Sequence, residues 1–343
     1  MSAAVQRHSV LDTLRGIAAL AVCWYHFTNG NPAFLSSGVV KTSGSYGWLG
    51  VEIFFVISGF IIPFALSRSH YHYRDYGTFL LKRIVRLDPP YLSVLALIIV
   101  LGYASSATPG FQGPRFHVSW LQLLLHLAYT NVFFGYPWLS PVFWTLAIEL
   151  QYYLIVGLMF PLISHQNRRT RFAAMLLLFV PVFLVRRQEF VCHWLILFLM
   201  GICTFQYRTR LLNLLSYCLC LAFLTVVAVF YYGAVITFTG LATACIIAFV
   251  ESEQPQPLVF FGRISYSLYL LHVPIGGRII NLSLRFVHGQ SGKLGILMAA
   301  LSTTTAAAWV LHRYVERPAQ RWSSSINYKR VGVPPPAYAP NNA

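Results

Sequence analysis

The amino-acid sequence predicts an all-α, polytopic membrane protein of about ten transmembrane helices, and three observations carry this. Hydrophobic residues make up 57% of the 343 positions and charged residues 10%, where a soluble domain carries about 25% charged residues. Mean hydropathy is +0.61, and apolar runs recur from end to end instead of forming one anchor. Basic residues fall mostly in short connectors between those runs, as membrane topology demands.

The runs place spans at 10–28, 47–66, 88–104, 142–163, 171–186, 190–206, 211–231, 234–250, 258–277 and 294–314. The fifth and sixth are short for a bilayer that needs about 20 helical residues, and Arg186 and Arg187 leave little connector between them. With the N-terminus inside, 18 of the 25 lysines and arginines fall on the cytoplasmic side. That distribution predicts both termini cytoplasmic, and the expected location is the plasma (inner) membrane. The first apolar stretch, Ile17 to Phe27, contains Trp24, Tyr25 and His26 and lacks the small-residue cleavage site of a signal peptide. Residues 1–322 are expected to form the membrane domain. Residues 323–343, rich in Ser, Pro and Asn, are expected to be a disordered cytoplasmic tail. Residues 105–141 form a long outside loop, and a loop of that length usually has structure or a task of its own.

A net charge of +16 in a soluble chain would suggest nucleic acid. Distributed over membrane connectors, it points to topology and anionic lipid headgroups, so the bilayer is the expected partner and nucleic acid is not. The six cysteines lie in or beside apolar segments without a CxxC or Cys/His pattern. Neither disulfides nor a metal site is expected.

Ionisable residues inside spans are costly and therefore candidate functional groups. Arg15 and His26 lie eleven residues apart, about 20° past three helical turns, so they share a face with a rise of ~16 Å. Topology puts Glu52, Glu149 and His272 in the same outer layer as His26. At the opposite depth, Arg15, Arg83, Arg86 and Arg263 make a clamp for a phosphorylated ligand, because guanidinium groups bind phosphate bidentately. Lys82 reads as an ordinary topological charge. A ligand with a phosphorylated head and a long reactive arm, as in coenzyme A, would join the two layers. Tyr266 and Tyr269 near His272, and Trp138 in the outside loop, are candidates for contact with a substrate. Ser58 and Gly59 read as close helix packing, not as a nucleophile.

Five motifs, in order, resemble the acyltransferase-3 family of integral membrane O-acyltransferases. They are LDTLRGIAALAVCWYHF (Leu11 to Phe27), GVEIFFVISGFII (Gly50 to Ile62), the KRIVRLDPPY run, FWTLAIELQYYL (Phe143 to Leu154) and FGRISYSLYLLHVPI (Phe261 to Ile275). HRYVERP (His312 to Pro318) resembles the family's last-helix ending. The resemblance implies ten core helices, a coenzyme A thioester donor and acyl delivery toward the non-cytoplasmic face. It maps the family's arginine-histidine signature onto Arg15 and His26, and its glutamate motif onto Glu149. The pair Pro89 and Pro90 stands where the family pattern has one proline. The chain resembles a stand-alone member without a fused SGNH domain.

The expected reaction moves a short acyl group, acetyl or succinyl, from acyl-CoA to a hydroxyl of a carbohydrate, glycolipid or envelope polysaccharide. His26 would be the general base and Glu149 the group that orients it. His272, Tyr266 and Tyr269 would line the acceptor or stabilise the oxyanion, and Glu52 would support catalysis or join helices. A proton-coupled transporter is the alternative, since it also uses buried histidines and glutamates.

Overall fold

The computed structural model describes residues 3–108 and 115–328. The described residues are helical throughout their regular structure, with no strand among them. In chain order the helices are α1 (Ala3–Asn29), α2 (Val39–Gly44), α3 (Gly50–Arg68), α4 (Tyr76–Ser106), α5 (Trp120–Ala128), α6 (Trp144–Ile163), α7 (Arg168–Phe179), α8 (Pro181–Leu184), α9 (Val191–Arg208) and α10 (Leu214–Tyr232). They continue with α11 (Ala234–Phe249), α12 (Gln256–Arg263), α13 (Ser265–Leu271), α14 (Arg278–Ser283), α15 (Gln290–Leu311) and α16 (Arg317–Ser325). Two π-helical segments, His272–Gly277 and His312–Glu316, link α13 to α14 and α15 to α16.

Among the described residues, six helical stretches are long and apolar enough to cross a membrane, or seven if the pair Gln256–Arg263 and Ser265–Ser283, bent by 63°, counts as one span. The expected first, fifth and eighth spans fall short of that count for separate physical reasons. Asp12, Arg15 and His26 dilute the apolar character of α1. A break at Val180 and Pro181 divides the fifth into pieces of 12 and 4 residues. The eighth, α11, has 16 residues, about 24 Å of helix.

The exterior is that of an integral membrane protein. On α10, Leu215, Leu219, Phe223, Val226 and Phe230 are exposed along one helical face, a stripe suited to hydrocarbon and not to water. Interior packing relies on close backbone approach. A Cβ on Gly59 of α3 would lie 2.2 Å from Phe198 O of α9, and one on Gly201 of α9 would lie 2.2 Å from Val56 O. The two helices therefore meet at a reciprocal glycine contact, the device that membrane helices use in place of a hydrophobic drive.

The third span starts earlier than its apolar run suggests. α4 begins at Tyr76, so Lys82, Arg83 and Arg86 are inside the helix, and Pro89 and Pro90 sit in its interior without ending it. Each proline removes one N–H donor from the helical ladder. Lys82 is tied to the end of the last helix, where its Nζ donates to Ser323 O at 2.9 Å. Residues 323–325, expected at the start of a disordered tail, instead finish α16, and beyond it the Tyr328 ring lies 5.4 Å from Lys82 Nζ of α4 and 6.3 Å from the Tyr71 ring. Residues 329–343 of that expected tail lie outside the described residues.

The 105–141 connection has structure of its own in α5 and a tight turn at Asn131–Phe134. His126, fully buried, organises it. Leu139 N–H donates to its Nε2 at 3.1 Å, and its Nδ1 lies 2.8 Å from Gln122 O. Burial holds this imidazole below its ordinary pKa, against the opposing pull of the Gln122 carbonyl. The opposite face of α5 leaves Trp120, Leu121, Leu124 and Leu127 exposed.

Candidate active site

A cavity of about 370 Å³ lies among α1, α3, α4, α6, α13 and α16. Each helix lends it a stripe at helical spacing, which is why residues three and four apart recur in its wall. α6 contributes Thr145, Glu149 and Tyr153, and α4 contributes Arg83, Arg86 and Leu87. Leu11, Asp12 and Arg15 come from α1, and Ser265, Tyr266 and Tyr269 from α13.

The cavity has two chemically different ends. Arg15, Arg83 and Arg86 converge at one, with Glu316 at the end of the second π-segment and Gln320 of α16. Among the described residues, none hydrogen-bonds or ion-pairs with these three guanidinium groups; the Arg83 guanidinium lies over the rings of Phe79 and Tyr153, at 5.3 and 5.4 Å. The carboxylates nearby have other donors. Glu316 accepts from Ser267 Oγ at 2.6 Å and from Gln320 Nε2 at 2.9 Å. Glu149, halfway along, accepts from the Tyr153 hydroxyl and from Ser58 Oγ, the latter at 3.4 Å. Three guanidiniums without a partner among the described residues give this end of the cavity the chemistry that suits an anion.

The other end is apolar. Val51, Phe54, Phe55 and Leu146 line it, and Thr145 and Tyr269 close it with hydroxyl oxygens 2.8 Å apart. Beyond this wall stands a histidine pair. The Tyr269 and His272 ring centroids are 5.7 Å apart, and those of His272 and His26 are 4.9 Å apart. His26 is half-buried at the end of α1, and His272 is fully buried at the start of the π-segment. A missing side chain permits this meeting, since a Cβ on Gly276 would lie 2.1 Å from Phe27 Cζ.

The sequence-derived candidates thus divide. Arg15, Arg83, Arg86, Glu149, Tyr266 and Tyr269 line one cavity, and His26 meets His272 behind its end wall. Tyr266 is anchored by donating to Leu87 O at 2.9 Å. Glu149 does not take the expected place beside His26, because its carboxylate is held by Tyr153 and Ser58 in the cavity wall. Arg263 is exposed and outside the wall. Its neighbour Gly262 packs tightly on Asp12 of α1, and one residue further turns about 100° away. Glu52 is buried on α3, with its Oε2 unpartnered, and does not line the cavity. Trp138 lies edge-on against His126, ring centroids 5.5 Å apart, and is likewise absent from the wall. Thr145, Tyr153 and Glu316 line the cavity as well, beyond the residues expected from the sequence. The first two were readable as the i−4 and i+4 neighbours of Glu149 on one helical face, and Glu316 lies within the HRYVERP ending.

Fold and cavity together define the class: a helical integral membrane protein enclosing a cavity with an arginine-lined end, beyond whose opposite wall His26 meets His272. The chain belongs to the acyltransferase-3 family, whose profile, described as an acyltransferase domain, matches residues 8–313. It is similar to the O-acetyltransferase OatA of Staphylococcus aureus (strain NCTC 8325 / PS 47), with 26% identity across 91% of this chain and 57% of the relative. A putative O-acetyltransferase of Staphylococcus aureus (strain COL) is 32% identical over 42% of this chain and 23% of its own length. The chain thus spans 57% of the length of the OatA relative. No solved structure matches it.

Proposed function

We propose that this chain is a membrane O-acyltransferase that moves a short acyl group from acyl-CoA to a hydroxyl of a carbohydrate or glycolipid acceptor. The observation that carries this reading is the cluster of Arg15, Arg83 and Arg86, unpaired at one end of a cavity whose far wall abuts the His26–His272 pair. The arginines would hold the phosphates of coenzyme A, and the thioester arm would run along the cavity past Glu149 toward Tyr269. The names of the relatives, O-acetyltransferases, support the same chemistry. Acetyl is favoured over succinyl. The far end is walled by Val51, Phe54, Phe55 and Leu146, with no cation in that part of the wall to pair with a second carboxylate. Arg278, an outside arginine expected to pair with such a carboxylate, donates to Ser105 Oγ at 2.7 Å.

In the reaction, His26 Nε2 takes the proton of the acceptor hydroxyl as the oxygen attacks the thioester carbonyl. The C–O bond forms, the C–S bond breaks, and the thiolate leaves with the proton returned from His26. Thr145 and Tyr269 carry the hydroxyls that close the cavity on the side of the pair, and one of them would stabilise the oxyanion. The arginine end would face the cytoplasm, in keeping with the distribution of positive charge. Glu149 would brace the middle of the wall through Tyr153 and Ser58.

The test is acyl transfer by purified protein in nanodiscs, with labelled acetyl-CoA and succinyl-CoA offered separately together with carbohydrate acceptors. Label appearing in an acceptor, from acetyl-CoA above succinyl-CoA, is the expected result. Proton-driven solute uptake in proteoliposomes without any thioester binding would instead favour the transporter reading.

A further inference from the structure

We infer that His272 is the positioning residue for His26, fixing its tautomer and ring plane by accepting the Nδ1–H; the inference rests on His26 being the base in the proposed acyl transfer. The two histidines come from opposite ends of the chain and meet with His26 Nδ1 3.2 Å from His272 Nε2. Each ring is also anchored to its own helix. His26 Nδ1 lies 2.9 Å from Val22 O, and His272 Nδ1 lies 3.3 Å from Leu268 O. A carbonyl oxygen only accepts, so each Nδ1 carries a hydrogen in the neutral ring. His272 Nε2 is then a lone pair pointing at His26, and the Nδ1–H of His26 is shared between it and Val22 O. What remains on His26 is an unprotonated Nε2, the atom a general base requires.

Burial assigns the two roles. His272 is 0% exposed, so it has no approach for an acceptor hydroxyl, whereas His26 is half-buried. When His26 takes a proton at Nε2, its Nδ1–H becomes a stronger donor, and the lone pair of His272 steadies the resulting cation. A carboxylate does this in the serine hydrolases; here a neutral imidazole does so without bringing a charge into an apolar site. The local backbone serves that contact. His272 opens a π-segment that includes Pro274, and π-bulges inside helices recur at functional sites. Gly276 in the same segment admits Phe27, the neighbour of His26, at a distance no side chain would allow.

The experiment combines kinetics with a spectroscopic readout on purified protein in nanodiscs. His272→Ala is expected to lower kcat for thiol release from acetyl-CoA by about 100-fold, the lower end of what a positioned base contributes, with donor KM within about threefold of wild type. His272→Gln, whose amide oxygen reaches the place of Nε2, should recover at least tenfold of that loss, and added imidazole should rescue His272→Ala. In ¹⁵N-histidine spectra, wild-type His26 should be the Nδ1–H tautomer, and His272→Ala should mix the two tautomers. A loss of kcat that tracks thermal stability, with no rescue by glutamine or imidazole, would overturn the inference, as would an unchanged His26 tautomer in His272→Ala. If wild type releases no thiol, the acyl-transfer reading fails by itself, and the tautomer comparison still decides whether His272 positions His26.

Discussion

The hydroxyl of Tyr269 lies 2.8 Å from Thr145 Oγ1 and joins α13 to α6 where the cavity ends. This wall stands between the arginine-lined space and the histidine pair, so under the proposed function it would shield a bound thioester until it yields. Tyr269→Phe and Thr145→Val each remove this hydrogen bond, at a net cost of about 0.5–1.5 kcal/mol. The expected outcome is several-fold more thiol release in the absence of acceptor, relative to transfer in its presence. An unchanged ratio would mean that the wall does not control access to the thioester.

The three guanidiniums should be unequal to their neighbours in donor binding. Arg83→Ala or Arg86→Ala removes charge-assisted hydrogen bonds worth about 1.5–3 kcal/mol, so the donor dissociation constant should rise by about 10- to 150-fold. Arg83→Lys should recover only part, because an ammonium lacks the planar fork. Arg263→Ala, outside the wall, should stay within about 0.5 kcal/mol of wild type. Titration calorimetry with acetyl-CoA in nanodiscs distinguishes these variants.

Gly276→Ala places a methyl group against the Phe27 ring, closer than any Cβ contact can be. Overpacking of this kind costs about 1–3 kcal/mol. Because the displaced neighbour carries His26, activity is expected to fall by a larger factor than the amount of folded protein. Turnover per folded molecule, with folding followed by size-exclusion profile and thermal stability, checks this.

The 105–141 loop should loosen in acid. Burial lowers the pKa of His126 in the folded state, so the folded form binds the proton less well than the unfolded one. Its contribution to loop docking is therefore full above the unfolded value of about 6.5 and is lost as pH falls from there through the depressed folded value. Protonation also puts a hydrogen on Nε2, which accepts from Leu139 N–H. Hydrogen exchange in residues 120–139 is expected to quicken as pH drops below about 6.5, after correction for the intrinsic rate. His126→Gln should flatten that dependence.

Much of the site was legible along the chain because helical spacing is local. Arg83 and Arg86 share a face by their spacing alone, and both line the cavity. The apolar runs gave the helical class and most of the long helices. The missing parts depend on tertiary approach. Nothing in the sequence says that His26 will meet a residue 246 positions away, or that Glu149 will be taken by Tyr153 and Ser58 instead of by His26. Membership of a depth layer placed His26, Glu52, Glu149 and His272 together, but depth fixes only one coordinate. Glu52 illustrates the remainder, since it is buried on α3 away from the cavity wall. Similarly, apolarity suggested a fifth span at 171–186 without showing the break at Val180, where Pro181 starts a separate turn.

The most direct test of the account is single-turnover acetyl transfer by His26→Ala beside wild type, with donor binding measured on the same samples. His26→Ala is expected to bind acetyl-CoA as wild type does, because the arginines are untouched, and yet to release thiol at least about 100-fold more slowly. Thiol release at the wild-type rate from a folded, donor-bound His26→Ala protein would contradict it.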